Sequence, residues 1–367
     1  MRAENNAIVL NKALRVFFLD ALRIALRNPA QVFSFFRTII WMQRSAKRRA
    51  NWKKQDILIP PIIIFSITNQ CNLKCKGCYN QSFHHSTNGE LSEQKLKEIT
   101  DEAEELGVSF FVIAGGEPFM RPEFTEIMKA HPQIIYLVFT NGLLINDEMI
   151  NSFHKYRNIV PLISLEGDQQ NTDRRRGEGT FVKLQATMEK MKRKDLFFGI
   201  SLTLTRPNFS TVLDNDYTQG LVKAGCKFFL YLEYTPTVEG TEEWVLTIDQ
   251  RNRVRDIMKL FHSKYPALFI AVPWDEDDVG GCLSAGRGFV HINAAGDLEP
   301  CPFAPFSDRN VRELSLKEAL QSELFRKIRQ RPELSREDGG GCVLWKEWDL
   351  VKSLLETDVF KPNLVSL

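Results

Sequence analysis

Six short apolar segments alternate with amphipathic segments between residues 62 and 232, and this alternation limits the possible folds more than any other feature. The apolar segments are rich in β-branched and aromatic residues and predict buried strands, whereas the segments between them predict helices. Helical crossovers of this length join parallel strands. The sequence therefore predicts an α/β fold, as an open doubly wound sheet or a full or partial barrel, with functional residues after the strands. The predicted strands are 62–67, 110–113, 134–139, 159–165, 197–205 and 228–232, and the predicted helices are 91–106, 123–130, 148–156, 181–193 and 213–224.

Composition places the chain among ordinary globular proteins. Of its 367 residues, 43% are hydrophobic and 26% are charged, which excludes a wholly disordered chain. No uncharged apolar run approaches the ~20 residues of a membrane-spanning helix. The opening residues lack a short apolar core followed by a small-residue cleavage site, so we expect no secretory signal. We therefore expect a cytoplasmic protein, in which the seven cysteines serve more often as metal ligands or catalytic thiols than as disulfides.

A basic arm precedes an acidic body. Residues 1–54 carry 12 Lys and Arg against 2 Asp and Glu, a balance of +10, whereas the remainder carries a balance of −8. Apolar residues recur at helical spacing over 14–26 and 33–41, with Arg and Lys between them and a break at Pro29. Such helices lie on an anionic membrane, here its inner face, or pack on the body, and both alternatives stay open. Nucleic acid is disfavoured as a partner, because the aromatic residues segregate to the apolar side.

Three cysteines stand in the loop after the first predicted strand. Cys71, Cys75 and Cys78 have the spacing C-x3-C-x2-C. A structural zinc site usually needs four ligands, often as two C-x2-C pairs, and no second pair exists. Three thiolates suit a 4Fe–4S cluster with one iron left for another ligand. A zinc site completed by a distant ligand is the alternative.

This loop resembles the signature of radical S-adenosylmethionine (SAM) enzymes. The resemblance implies a partial (β/α)6 TIM-like barrel in which the three cysteines hold a 4Fe–4S cluster and SAM chelates its open iron. One electron then cleaves SAM to methionine and a 5′-deoxyadenosyl radical, which abstracts a substrate hydrogen. The family often has an aromatic residue where this chain has Gly77, so the resemblance assigns the adenine contact to Tyr79 instead.

The second strand ends in a motif that supports the resemblance. Gly115, Gly116 and Glu117 precede a proline and resemble the family's GGEP motif. In the family, this backbone and the carboxylate hold the ammonium group of SAM. An anion beside a cationic amine and glycines that permit close backbone approach suit that task. Alone, the same four residues would predict only a turn.

The fourth and fifth strands add further SAM-binding candidates by resemblance. Ser164 and Glu166 match a Ser-x-Asp-Gly strand end in which Glu replaces the usual Asp, and Arg176 matches a later arginine that holds the SAM carboxylate. Ser201 matches a serine that often meets the ribose. We interpret the two arginines before Arg176 as a solvated charged segment.

A second set of cysteines lies far downstream. The order Cys282, Gly296 and Cys301, followed by Cys342, resembles the opening of the SPASM and Twitch extensions, which bind auxiliary iron–sulfur clusters after a radical SAM barrel. The resemblance implies one auxiliary 4Fe–4S cluster whose fourth ligand is a non-cysteine residue, solvent or substrate. A zinc site or three unconnected thiols are the alternatives. Cys226 is left over and is predicted to be a buried free thiol.

Local patterns complete the C-terminal region. Residues 290–293 predict a strand, with a hairpin turn at 296–297. Residues 316–330 predict a helix, and 274–278 predict an acidic loop. His291 on the strand is interpreted as a structural histidine, with a cluster ligand or proton donor as the alternative.

The sequence thus predicts a helical arm (1–55), a radical SAM barrel (56–235) and a C-terminal Twitch/SPASM-like domain (236–367). The expected activity is reductive SAM cleavage and hydrogen abstraction from an apolar or membrane-associated substrate, with ferredoxin or flavodoxin as electron donor. A peptide maturase of the SPASM type is one alternative, and an iron–sulfur electron carrier without SAM turnover is another. No residue is assigned to catalysis beyond the cofactor ligands.

Overall fold

The computed structural model describes residues 29–83, 89–335 and 342–355. Within these residues the strands form one sheet in the order β7-β6-β5-β4-β3-β2-β1-β8-β9. The strands are β1 Ile62–Thr68, β2 Phe110–Gly115, β3 Ile135–Thr140, β4 Ile159–Leu165, β5 Gly199–Leu204, β6 Phe228–Glu233, β7 Leu268–Val272, β8 Phe289–Ile292 and β9 Leu298–Glu299.

Helices follow most of the strands and return the chain for the next one. They are α1 Pro29–Lys53, α2 Tyr79–Ser82, α3 Glu93–Leu106, α4 Pro122–Ala130, α5 Asp147–Tyr156, α6 Gln169–Arg176, α7 Thr180–Arg193, α8 Phe209–Val212, α9 Asn215–Lys223, α10 Ile248–Lys264, α11 Trp274–Asp278, α12 Leu316–Ala319, α13 Glu323–Arg329, α14 Val343–Lys346 and α15 Trp348–Ser353, with 3-10 turns at Pro118–Met120, Glu242–Trp244 and Pro332–Ser335.

Strand order identifies the architecture as a partial barrel. The strands β1 to β7 are parallel and lie side by side in chain order, whereas a doubly wound sheet reverses its order at a switch point. All six predicted strands are present. The parallel strand β7 was missed, although its Leu-Phe-Ile-Ala-Val sequence is a buried apolar segment after a helix.

The C-terminal region continues the same sheet. Strand β8 pairs in parallel with β1, and β9 pairs antiparallel with β8 through the predicted hairpin turn, where the Gly296 N–H donates to the Asn293 carbonyl. The predicted boundary between 235 and 236 therefore lies between two neighbouring strands of the sheet, β6 and β7, and the C-terminal region lies beside the first barrel strand.

Alternation along β1 separates the packed side of the sheet from the side that carries the site. Ile63, Phe65 and Ile67 are buried against the helices, and burial of each such side chain contributes about 1.5–3 kcal/mol. Ser66 and Thr68 alternate with them and are also buried, but at the strand end that leads into the cysteine loop. The apolar packing thus fixes the position from which that loop starts.

Two C-terminal predictions were wrong. Residues 316–330 form two short helices, α12 and α13, because the Ser322 hydroxyl accepts from the Phe325 N–H and starts a new helix there. Residues 274–278 form the helix α11 rather than a loop. At its start the Glu276 N–H donates to the Pro273 carbonyl at 2.9 Å.

The basic arm contacts the body through the C-terminal half of α1. Arg48 donates to the Glu104 carbonyl at 2.7 Å, and Arg49 donates to the Ser109 hydroxyl at 2.9 Å. Farther from these contacts, Phe36 and Ile40 are 53% and 49% exposed. The predicted segment 33–41 is helical, while the predicted helix 14–26 lies outside the described residues. In the described part of the chain, no helix is both long and apolar enough to cross a membrane.

Candidate functional site

The first cysteine triad (Cys71, Cys75 and Cys78) lies at the carboxyl edge of the sheet, directly after β1. Cys71 is exposed, and the other two are partly buried. Neighbouring protein atoms displace part of the water around the Cys71 and Cys75 thiols and raise the pKa of both, and both thiols lie within electrostatic range of Cys78. Arg176 acts in the opposite direction on Cys75, because its positive charge favours the thiolate.

A reciprocal pair of hydrogen bonds joins the cysteine loop to the end of α6. The Lys76 N–H donates to the Arg175 carbonyl at 2.9 Å, and the Arg175 Nε donates back to the Lys76 carbonyl at 3.2 Å. The next residue, Gly77, has φ of +65°, a conformation that glycine adopts readily. The loop between the second and third cysteines therefore has one defined path.

The predicted glycine motif holds the loop from the other side. The Gly116 N–H donates to the Thr68 carbonyl at 2.7 Å, and the Glu117 N–H donates to the Gln70 carbonyl at 2.8 Å. A Cβ atom on Gly115 would lie 2.2 Å from the Thr68 oxygen, and one on Gly116 would lie 2.0 Å from the Gln70 oxygen. The glycines thus permit the contact between the end of β2 and the base of the cysteine loop.

Glu117 is buried beside the first triad. Its carboxylate accepts from the Thr140 hydroxyl at 2.7 Å, the Asn141 N–H at 2.7 Å and the Phe119 N–H at 3.2 Å. Burial raises the pKa of the Glu117 carboxyl, although these donors oppose the shift. A carboxylate has about four acceptor positions, so one remains for a further donor.

Glu166 holds two arginines at the base of the loop. Its carboxylate accepts from Arg175 at 2.6 Å and from Nε and Nη2 of Arg176 at 2.9 and 2.5 Å. Burial opposes the charge of Arg176, but Glu166 outweighs this effect and raises the pKa of the guanidinium. The interpretation of Arg175 as a solvated residue was wrong, because its side chain is only 13% exposed. Glu166, which the sequence predicted as a cofactor contact, thus contacts Arg175 and Arg176. Arg176, the other predicted cofactor contact, keeps N–H donors that Glu166 does not use.

Ser164 and Ser201 lie opposite each other on neighbouring strands. They are paired in register, Ser164 near the carboxyl end of β4 and Ser201 in the middle of β5, so their side chains share one face of the sheet. Ser201 is buried, and Ser164 is partly buried. Both predicted serines therefore lie side by side on one face of the sheet, with Ser164 nearer to the edge that carries the first triad.

Tyr79 contacts the C-terminal region. Its hydroxyl lies close enough to the Ser66 side chain to affect the Tyr79 pKa, and its ring meets Phe303 edge-on with centroids 5.5 Å apart. Ser66 Oγ in turn lies 2.8 Å from Nε2 of His291, and Nδ1 of His291 lies 2.7 Å from Glu299. The interpretation of His291 as a structural histidine therefore agrees with its contacts, which join β1 to the β8–β9 hairpin.

Two aromatic residues that the sequence did not single out cover Gly77. A Cβ atom there would lie 2.6 Å from the Tyr234 hydroxyl and 2.8 Å from the Trp244 ring. The rings of Tyr234 and Trp244 pack 5.4 Å apart. The aromatic residues that follow β6 thus occupy the space that a side chain at position 77 would fill. The glycine at a position where relatives often have an aromatic residue was the available signal.

The second cysteine triad (Cys282, Cys301 and Cys342) is assembled from three separate segments. Cys282 and Cys301 are buried, and Cys342 is partly buried at the start of α14. A hydrogen bond with Cys342, together with burial, raises the pKa of the Cys301 thiol. Cys282 lies within electrostatic range of both other thiols. The structure therefore brings together the three cysteines that the sequence grouped.

Both triads fit iron–sulfur clusters better than single ions. Each offers three thiols around one small region, and each has amide or hydroxyl donors beside the sulfurs, as the Phe303 N–H lies 3.5 Å from the Cys301 sulfur. Across residues 29–83, 89–335 and 342–355, no three His, Cys, Asp or Glu side chains converge closely enough to hold one metal ion. Cys226 is buried apart from both triads, as predicted.

Comparisons with known proteins agree with this geometry. Residues 65–212 match the radical SAM superfamily, and residues 282–342 match SPASM, an iron–sulfur cluster-binding domain. The chain therefore belongs to the radical SAM enzymes that carry a SPASM domain. The two domains imply a 4Fe–4S cluster that acts on SAM, together with auxiliary iron–sulfur binding.

Individual relatives differ in what they make. The AdoMet-dependent heme synthase of Methanosarcina barkeri is 26% identical over 76% of this chain and 88% of its own length. The subtilosin biosynthesis protein AlbA of Bacillus subtilis is 26% identical over 72% of this chain and 60% of its own length. The structure of Streptococcus suis SuiB bound to precursor peptide SuiA has a TM-score of 0.65 at 19% identity, over 79% of this chain and 71% of that chain. The likeness to SuiB concerns the fold.

Proposed function

We propose that the chain holds a 4Fe–4S cluster on Cys71, Cys75 and Cys78, cleaves SAM reductively there, and directs the radical at a peptide substrate. When bound, the cluster supplies the electron that splits SAM into methionine and a 5′-deoxyadenosyl radical, which removes a hydrogen atom from the substrate. The protein's own residues bind SAM, orient it and exclude water. The single observation that carries the proposal is the contact of the glycine motif with the cysteine loop, which sets Glu117 beside the first triad.

Charge complementarity assigns the amino-acid end of SAM. The remaining acceptor position of Glu117 suits an ammonium group, and the unused N–H donors of Arg176 suit a carboxylate. Glu166 keeps the Arg176 guanidinium in place through two hydrogen bonds, so we assign it a positioning role. Ser164 and Ser201 lie on the next strands and suit polar groups of the ribose.

The adenine end of SAM is assigned to different residues than the sequence predicted. Tyr79 is engaged with Ser66 and Phe303, whereas Tyr234 and Trp244 lie against the loop at Gly77. Tyr234 is buried, but the Trp244 ring is partly exposed next to the loop, and a partly exposed indole ring suits a flat heterocycle. We therefore assign the adenine contact to Trp244, which also lines a small cavity with Glu166 and Arg175.

A peptide is the substrate class that the relatives favour. AlbA is named for bacteriocin biosynthesis, and SuiB is a structural neighbour with a bound precursor peptide. The two edge strands of the sheet, β7 and β9, are not paired with each other, and we propose that an extended chain enters between them. One relative is a heme synthase, so a porphyrin is the rival substrate class. The test must therefore distinguish a porphyrin from a peptide.

An apolar substrate at a membrane surface is the second candidate. The observation that favours it is the exposure of Phe36 and Ile40 on α1, with Arg37 over the Trp41 ring at 4.8 Å. Flotation with vesicles of anionic lipid tests it on the full chain and on a Phe36→Ser/Ile40→Ser variant. Equal flotation of the two proteins would contradict a role of α1 at the membrane.

The electron donor is proposed to be an acidic carrier of the ferredoxin or flavodoxin type. Lys74 and Lys76 are exposed on the cysteine loop itself and give the surface near the cluster a positive charge. Reduction by flavodoxin should slow with added salt and in a Lys74→Glu/Lys76→Glu variant. Reduction by dithionite, which needs no docking, should be unchanged in the same variant.

The main experiment measures 5′-deoxyadenosine by mass spectrometry after anaerobic reconstitution with iron, sulfide, SAM and dithionite. It has four arms: protein alone, a peptide fraction of cell extract, iron-coproporphyrin III, and a lipid extract. We expect stimulation by the peptide fraction and loss of that stimulation after the fraction is digested with protease. If only the porphyrin stimulates 5′-deoxyadenosine formation, the substrate is a porphyrin rather than a peptide. If no 5′-deoxyadenosine forms although the protein holds its full complement of iron, an electron carrier is favoured.

A further inference from the structure

The second triad supplies three thiols, whereas a 4Fe–4S cluster has four irons. A fully ligated cluster mainly transfers electrons, and a cluster with an open iron can also bind a substrate. The nature of the fourth ligand therefore decides what the auxiliary cluster can do. The question arises only if the auxiliary cluster proposed above is present.

A buried carboxylate lies beside the second triad. Glu276 is on α11, with a side chain that is 9% exposed in spite of its charge. The Leu283 N–H donates to its Oε1 at 3.4 Å, which places the carboxylate next to the residue that follows Cys282. The carboxylate is also within electrostatic range of the Cys282 and Cys342 thiols.

The backbone holds Glu276 in this position. The chain reverses direction between Glu276 and Cys282 through Gly280 and Gly281, which have φ of +99° and +101°. The Gly281 N–H donates to the Glu276 carbonyl at 2.9 Å and closes this turn. The segment from Glu276 to Cys282 thus presents a carboxylate and a thiol to the same region.

We propose that Glu276 is the fourth ligand of the auxiliary cluster and closes its coordination. Iron accepts carboxylate oxygen as a ligand in proteins. The auxiliary cluster is then an electron-transfer group, and the substrate binds elsewhere.

Ser284 is the rival ligand. It is fully buried, and the Cys282 thiol donates to its hydroxyl at 3.2 Å. A hydroxyl is a weaker ligand than a carboxylate, because it must lose a proton to match the charge. The two candidates are distinguished by substituting each of them separately.

The experiment uses the full chain with Cys71, Cys75 and Cys78 replaced by Ala, so that only the auxiliary cluster gives a signal. Electron paramagnetic resonance of the reduced protein is recorded with and without cyanide, a small ligand for an open iron. We expect no change in the parent protein and a new cyanide-dependent spectrum in Glu276→Ala. Ser284→Ala and Asp278→Asn should behave as the parent does; Asp278 is on the same helix, but its side chain is 68% exposed.

Glu276→Cys is the control for the possibility that Glu276→Ala responds to cyanide because it has lost its fold. This variant should bind about four irons and stay insensitive to cyanide, because a thiolate replaces the carboxylate. A parent spectrum that changes with cyanide would overturn the assignment, and so would a cyanide response in Ser284→Ala but not in Glu276→Ala. A parent protein without about four irons would overturn the auxiliary cluster as well, so the two failures are distinguishable.

Discussion

The two cysteine triads offer the same three thiols in opposite settings. The first triad lies within a single loop of eight residues, Cys71–Cys78, on the exposed edge of the sheet. The second triad gathers Cys282, Cys301 and Cys342 from three segments and buries most of each thiol. A loop of local ligands needs support from its neighbours, whereas a buried site is held by the packing of the core.

This difference follows the work that each site is proposed to do. The first triad must admit SAM, so its cysteines stay accessible while backbone contacts from β2 and α6 fix the loop. The second triad needs no small-molecule access if it only transfers electrons. Accessibility and burial therefore separate a site for exchangeable ligands from a site for a permanent cluster.

Removing each triad should give the largest and most distinct effects. Replacing Cys71, Cys75 and Cys78 by Ala should abolish 5′-deoxyadenosine and remove about four of about eight irons. Replacing Cys282, Cys301 and Cys342 by Ala should remove a similar amount of iron but leave 5′-deoxyadenosine formation, because every proposed SAM residue is retained. Iron analysis and mass spectrometry measure both outcomes.

Cys226→Ala is the control for cysteine loss, and it should keep both the iron and the activity. The contrast between the two triads is contradicted if the protein without Cys282, Cys301 and Cys342 is folded, retains the iron of the first triad, and still makes no 5′-deoxyadenosine. The two triads would then act as one unit rather than as two sites with separate tasks.

The support of the first triad is tested next by Glu166→Gln. This change leaves the buried guanidinium groups of Arg175 and Arg176 without their carboxylate partner, which should cost about 3–5 kcal/mol of unfolding free energy. We also expect weaker SAM binding, since Arg176 loses its position. Urea unfolding and equilibrium dialysis provide the measurements.

Glu189→Gln is the matched control on the surface. Its pair with Arg193 is largely exposed, so the same chemical change should cost at most about 0.5 kcal/mol. Equal costs for the two variants would mean that Glu166 does not support the loop through its charge.

A smaller effect is expected from Gly116→Ala. The new Cβ atom would lie 2.0 Å from the Gln70 oxygen, so the end of β2 must move away from the cysteine loop. Overpacking of this kind costs about 1–3 kcal/mol, and the shift also displaces Glu117 and should weaken SAM binding. Thermal unfolding and SAM titration measure the two effects.

Gly220→Ala makes the same addition where it meets no atom within 4 Å, inside helix α9. There alanine should stabilise the protein by about 0.8–1 kcal/mol, because it favours the helix more than glycine does. Opposite signs for the two substitutions are the expected result. Destabilisation by both would indicate that the contact at Gly116 is not the cause.

The same contrast between local and assembled features decides how much the sequence could predict. The strands and the first triad were predictable, because apolar segments and cysteine spacing act over a few residues. The grouping of the second triad rested on a family resemblance, since nothing local brings Cys342 to Cys301. The helix break at Ser322 was missed because a single capping hydroxyl interrupts an otherwise continuous helical pattern.

Side-chain partners at the site were the least predictable part. The sequence suggested Glu166 and Tyr79 as cofactor contacts, but Glu166 is engaged by Arg175 and Arg176, and Tyr79 by Ser66. These partners come from elements far apart in the chain. Only the fold determines which of two polar residues at a strand end faces the ligand and which one supports its neighbour.

Cys226 provides the mildest test, as a thiol that is buried like the second triad but has no cysteine beside it. Burial raises the pKa of this thiol, so the folded protein keeps it protonated at a pH where the unfolded chain ionises it. The unfolded chain then binds fewer protons, and stability falls as pH rises above about 8.5. Its contribution to this loss is about 1.4 kcal/mol per pH unit until the raised pKa is reached.

The stability difference between the wild type and Cys226→Ala isolates this contribution, since both proteins share every other titrating group. Urea midpoints of the anaerobic proteins should be compared from pH 8 to 10, a range we choose to bracket the ordinary thiol pKa of about 8.5. The wild type should lose stability faster than the variant with rising pH. Parallel curves would mean that the thiol ionises equally in both states, and burial alone would then not distinguish the thiols of the second triad from those of the first.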